Sequence, residues 1–85
     1  MSTGSGDGSE VLLYTLGPCL AATQLREYLQ LRRVAFEERD IRARPVWGAE
    51  LRRRLGYVTA PVLVVGEEVV FGFDAARLER LLAAP

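Results

Sequence analysis

One side chain in this sequence can act as a soft nucleophile, and it stands at a structural boundary. Cys19 is the only cysteine among 85 residues. It follows Val11-Leu12-Leu13-Tyr14-Thr15-Leu16-Gly17-Pro18, an apolar, β-type run that ends in a Gly-Pro turn. A helix-like pattern starts immediately after it. A thiol at such a junction sits beside free backbone N–H groups and the positive end of a helix dipole. That field favours thiolate, the reactive form. The residues alone leave open whether Cys19 is a working nucleophile or a residual thiol. The sequence has no histidine, so it holds no Cys-His or Ser-His pair and argues against a hydrolase of the usual triad type.

The bulk properties narrow the setting. Eighty-five residues allow one small domain with a modest core. Apolar residues make up 49% of the chain and charged residues 26%, ordinary values for a globular protein. Eleven basic residues cancel eleven acidic ones, so no global field recruits nucleic acid or an anionic membrane. All the basic residues are arginine. A single cysteine forms no internal disulfide, which argues against a stapled secreted module. Residues 1–9 are rich in Gly, Ser, Thr and Asp and read as a flexible leader, with one domain over residues 10–85. The longest apolar stretch, near Val58 to Val65, is too short to span a bilayer. A cytoplasmic protein is the expectation.

The elements that must position Cys19 follow from periodicity and punctuation. Glu10 to Leu16 reads as a buried strand. From Cys19 to about Arg32, Leu25, Tyr28 and Leu29 recur at helical spacing. Val34 to Ile41 reads as a second strand, half exposed. Pro45 suits the first turn of a helix that carries Trp47, Leu51 and Leu55 on one stripe and stops at Gly56. Pro61 to Val65, a turn at Gly66-Glu67-Glu68 and Val69 to Phe71 read as a hairpin. Asp74 is placed to cap a last helix carrying Leu78, Leu81 and Leu82. The order βαβαββα predicts an α/β domain with a four-stranded mixed sheet covered by helices.

This order, with a cysteine at the first strand–helix junction, resembles the minimal thioredoxin fold, a three-layer sandwich. More narrowly it resembles the glutaredoxins and the glutaredoxin-like NrdH redoxins. Three blocks carry the resemblance. Tyr14-Thr15 looks like the family's Tyr-Thr ahead of its Cys-x-x-Cys. Leu55-Gly56-Tyr57-Val58-Thr59-Ala60-Pro61-Val62 looks like the segment with the family's cis-proline. Gly72-Phe73-Asp74 is similar to the Gly-Gly-Phe-Asp turn that opens its last helix. The departures are equally specific. Ala22 stands where the second cysteine falls, and Leu16 or Gly17 replaces a lysine often found before the first. Gly17-Pro18 shifts the family's proline by one position. Arg33 stands where a glycine usually ends the first helix.

The resemblance implies a thiol–disulfide oxidoreductase or electron carrier with Cys19 as nucleophile. Tyr14, Pro18, Leu20, Thr59, Ala60, Pro61, Phe73 and Asp74 are then the substrate-binding residues. The backbone of Ala60 pairs with the substrate, and N–H groups at Phe73 and Asp74 receive a carboxylate. Arg42 or Arg44 offers a replacement for the missing lysine. Without a partner at Ala22, the route implied is monothiol: glutathione or another small thiol resolves the mixed disulfide. No metal and no tightly bound cofactor is expected. The partners expected are a protein disulfide or mixed disulfide and a small thiol. Two other readings stand beside this one. The first is a redox-inactive thioredoxin-fold module that binds a protein through Leu16, Pro18 and Leu20. The second is an iron–sulfur cluster shared between two chains, as in glutaredoxins with Cys-Gly-Phe-Ser, although Leu20 crowds the place of the small glycine.

Overall fold

The first strand, β1 (Val11–Thr15), is buried along its whole length, because helices cover both faces of the sheet it centres. The computed structural model describes residues 10–82. The leader expected over residues 1–9 and the last three residues of the expected domain lie outside the described residues. After β1 come α1 (Leu20–Leu31), β2 (Glu37–Asp40), α2 (Pro45–Leu55), β3 (Val62–Val65), β4 (Glu68–Phe71) and α3 (Ala75–Leu82). The strand order is β2-β1-β3-β4. β1 runs parallel to β2 and antiparallel to β3, and β3 and β4 form the hairpin. The four-stranded mixed sheet is the expected one.

Alternation on the two central strands divides the core. Val11 and Leu13 of β1, with Leu63 and Val65 of β3, pack against Leu25 and Leu29 of α1 and Leu78 of α3. Leu12 and Tyr14, with Val62 and Val64, pack against Leu51 of α2, with Trp47 and Leu55 at the margin. This two-sided burial explains why both strands read as continuous apolar runs. Each fully buried leucine contributes about 1.5–3 kcal/mol relative to exposure. The layers are α1 and α3, the sheet, and α2.

The helix signals act as their chemistry requires. Pro45 occupies the first turn of α2, and Gly56 closes it at φ 90° with its N–H donating to the Arg52 carbonyl at 2.7 Å. Asp74 caps α3: its Oδ1 accepts the Arg77 N–H at 3.2 Å, and its carbonyl accepts the Leu78 N–H at 2.9 Å.

Several boundaries differ from the sequence reading, three of them with a clear physical cause. β2 is four residues long and begins at Glu37, not Val34. Arg33 adopts φ 58°, and the Val34 N–H turns back to the Leu29 carbonyl at 2.9 Å. Val34 and Phe36 therefore close the bottom of the α1 core before the chain joins the sheet. Glu68 belongs to β4, because the hairpin turn holds only Gly66 and Glu67. Of these two turn residues only Gly66 has positive φ, at 61°, as expected for the first position of a II′ turn. α1 begins at Leu20 with Cys19 as its N-cap.

Candidate active site

The sheet register brings four segments to one end of the molecule. Thr15, the last residue of β1, pairs with Asp40, the last of β2. Tyr14 pairs with Val62 at the start of β3, so Pro61 lies at the same end. The Gly72 N–H donates to the Pro61 carbonyl at 3.0 Å, which draws the Gly72-Phe73-Asp74 turn beside it. The Gly17-Pro18-Cys19 loop, the Asp40-Arg42 turn, Ala60-Pro61 and the start of α3 thus share this end. The Ala60-Pro61 peptide bond is cis.

Cys19 is exposed and carries a free thiol. Its backbone is extended, at φ −165° and ψ 139°, and its side chain makes no capping hydrogen bond. Its carbonyl accepts the Thr23 N–H at 3.0 Å, so the backbone caps α1 and leaves sulfur uncommitted. No acidic side chain occupies the first turn of α1. Three residues on, Ala22 is 2% exposed and offers no second thiol.

Beside Cys19 opens a cavity of about 280 Å³. Thr15, Gly17, Pro18, Cys19 and Thr23 line it together with Arg26, Glu38, Asp40 and Arg42. The charged residues are paired. Arg26 donates from Nε and Nη2 to the two Glu38 oxygens at 2.8 and 2.7 Å. Arg42 donates from Nη2 to Asp40 Oδ2 at 2.9 Å and from Nε to Oδ1 at 3.2 Å, and its backbone N–H reaches Oδ1 at 2.9 Å. The Arg42 hydrogen bonds hold the Asp40 carboxyl below the usual carboxylate range, with a smaller contribution from the Gly17 backbone. The hydrogen bond from Arg26 lowers Glu38 in the same way.

Other predicted site residues stand in different relations to this cavity. Pro18 lines it, and Leu20 lies 74% exposed next to Cys19. Thr59, Ala60 and Pro61 are half-buried. The Phe73 ring meets Tyr28 of α1 edge-on at 5.8 Å, and the Asp74 carboxylate caps its own helix. Tyr14 lies on the α2 face, 2% exposed. Its hydroxyl donates to Glu50 Oε1 at 3.1 Å and accepts from Arg39 Nη1 at 3.1 Å. Burial, and then the Glu50 hydrogen bond, push the Tyr14 hydroxyl pKa up. Tyr14 lines a second cavity, of about 540 Å³, with Arg39, Glu50, Arg53 and Arg54. Arg42 lines the Cys19 cavity; Arg44 instead stacks over Trp47 at 5.4 Å.

The sequence alone does not mark Arg26, Glu38 and Asp40 as site residues. The only local signal was their position: Arg26 falls two turns into α1 on the Cys19 side, and Glu38 and Asp40 alternate along β2.

A thiol at a helix start and a cis-proline just before β3, at one end of a β2-β1-β3-β4 sheet, match known proteins. The glutaredoxin family profile matches residues 11–70. A glutaredoxin from Pseudomonas aeruginosa is 33% identical over 81 residues, covering 87% of this chain and 96% of its own length. This chain is a member of the glutaredoxin family. The crystal structure of a glutaredoxin from Archaeoglobus fulgidus superposes with a TM-score of 0.76 at 26% identity, over 99% of this chain and 98% of that one. The glutaredoxin-like NrdH-redoxin from Escherichia coli superposes with a TM-score of 0.74 at 26% identity, over 89% and 99%. As a glutaredoxin-family protein it has the thioredoxin fold and belongs among redox proteins that act on thiols and disulfides. No helix among the described residues is long and apolar enough to cross a membrane.

Proposed function

We propose that this glutaredoxin-family protein carries out thiol–disulfide exchange by a monothiol route through Cys19. The observation that carries the reading is an exposed, uncommitted thiol at the start of α1 with buried Ala22 three residues later. The Cys19 thiolate attacks one sulfur of a disulfide, forming a mixed disulfide and expelling the other sulfur as thiolate. An outside thiol then attacks the mixed disulfide, releases Cys19 and leaves with the bound half as a new disulfide. Glutathione or another small thiol fills that resolving role. Ala60 and Pro61, at the same end of the sheet, serve as the substrate-facing backbone, and the α3 start with Phe73 and Asp74 is the proposed carboxylate end.

Incubation with oxidised glutathione followed by intact mass measurement tests this. The expected result is one glutathione adduct, absent in Cys19→Ser and removed by excess reduced glutathione. An unmodified chain, with no turnover of a mixed-disulfide substrate, refutes the reading.

A redox-inactive, protein-binding role is the second reading. It is favoured by the exposure of Leu16 (54%) and Leu20 (74%) on either side of the thiol. Full cellular function of a Cys19→Ser variant supports it over the exchange reading.

A further inference from the structure

The cavity beside Cys19 is lined by both signs of charge in equal number. Arg26 and Arg42 supply two positive charges, and Glu38 and Asp40 supply two negative ones. Each arginine uses Nε and Nη2 for its carboxylate partner, which leaves Nη1 outside the pair. The pairs are partly open to solvent, with side-chain exposures of 34% and 33% for Arg26 and Glu38, and 59% and 32% for Arg42 and Asp40. A purely anionic or purely cationic guest meets as much repulsion as attraction here. A dipolar guest meets attraction at both ends: its carboxylate faces a guanidinium and its ammonium faces a carboxylate.

We propose that this cavity is a subsite for the zwitterionic α-amino-acid head of a small disulfide, with the reacting sulfur held at Cys19. The inference rests on the exchange reading above and assigns its substrate class. With cystine as the disulfide, the Cys19 thiolate attacks one sulfur. A bond forms between Cys19 and that cysteine, the cystine S–S bond breaks, and the second cysteine leaves as thiolate and takes a proton from water. A small external thiol completes the cycle. The two pairs stand differently to Cys19. Arg42 packs against Gly17, where an added Cβ would come within 3.1 Å of Nη1, so its pair borders the Cys19 loop. Arg26 lies seven residues along from Cys19, about 10 Å at the rise of a helix.

The test measures Cys19 adduct formation near pH 7 with four disulfides: cystine, cationic cystamine, anionic dithiodipropionate and neutral hydroxyethyl disulfide. Each rate is divided by that of N-acetylcysteine amide, which removes the intrinsic reactivity of the disulfide. The expected result is a preference for cystine over the other three of about three- to fivefold, the size of a partly exposed ion-pair effect. Glu38→Gln should move the preference toward the anion, and Arg26→Gln toward the cation. Should either variant fail to fold, the wild-type preference must still shrink in about 0.5 M salt, because screening weakens such contacts. Normalised rates that are equal for all four disulfides overturn the subsite and leave the exchange reading standing. The absence of any adduct overturns both.

Discussion

The guanidinium of Arg42 lies against Gly17 while the Asp40 carboxylate holds it through Nε and Nη2, so the end of β2 braces the loop that presents Cys19. Gly17 has φ 75°, and a Cβ there would come within 3.1–3.2 Å of Arg42 Nη1 and Cζ. Gly17→Ala is therefore strained by its backbone conformation, and the exposed Arg42 guanidinium must also give by a few tenths of an ångström. We expect a loss of about 1–3 kcal/mol in chemical denaturation. Adduct formation at Cys19 should slow along with it. An unchanged midpoint and rate would show that the loop does not depend on this brace.

Arg33 predicts the opposite sign. It adopts φ 58°, a left-handed conformation that disfavours side chains with a Cβ. Its side chain is exposed, so little packing is lost on replacement. Arg33→Gly should stabilise the fold by about 0.5–1 kcal/mol, the relief of strain exceeding the added freedom of the unfolded chain. Thermal unfolding would show this as a rise of about 4–8 °C per kcal/mol for a domain of this size.

Ala22→Cys restores a second thiol on the turn after Cys19. With oxidised glutathione, wild type should keep its adduct until an outside thiol removes it. The variant should discharge the glutathione and finish about 2 Da lighter than its reduced form, as the new thiol attacks the mixed disulfide. Because Ala22 is 2% exposed, the added sulfur crowds its site, and a modest fall in stability should accompany the change. A variant that retains the adduct as wild type does would show that residues 19 and 22 do not meet.

Acid should weaken the fold through Asp40 and Glu38. Both carboxyls are held below their ordinary values by hydrogen bonds from arginine, Arg42 and Arg26 respectively. A group whose folded pKa is depressed adds stability above its unfolded pKa, near 4, and loses it as pH falls through the folded value. Denaturation midpoints should be flat from about pH 7 to 5 and decline below about pH 4. Glu38→Gln should make that decline shallower. An equally steep acid limb in the variant would assign the effect to other groups.

Much of this fold is written in local chemistry. Pro45, Gly56, Gly66 and Asp74 each act within a turn of their own position, so their roles are visible along the chain. The apolar runs at β1 and β3 announce two-sided burial. Val34 and Phe36 misled because an apolar pair ahead of a strand has the same spacing whether it joins the sheet or seals a helix; the Arg33 conformation decides between them. Tyr14 shows a limit of a different kind. Strand parity sets it with Leu12 on the α2 face, where Glu50, 36 residues away, meets its hydroxyl. The cavity beside Cys19 depends on partners from α1, β2 and the turn after β2. Arg26 and Glu38 are twelve residues apart, and nothing in either neighbourhood specifies the other.

β2 consists of Glu37, Glu38, Arg39 and Asp40, and it forms one edge of the sheet. Copies of this chain carry no net charge, so long-range repulsion does not keep them apart. Protection against strand-to-strand association is therefore local, and the charged β2 edge supplies it on one side. The β4 edge, where Phe71 is 53% exposed, has less of this protection. Crowded solutions of the protein should associate there first, on the side of the sheet away from β2.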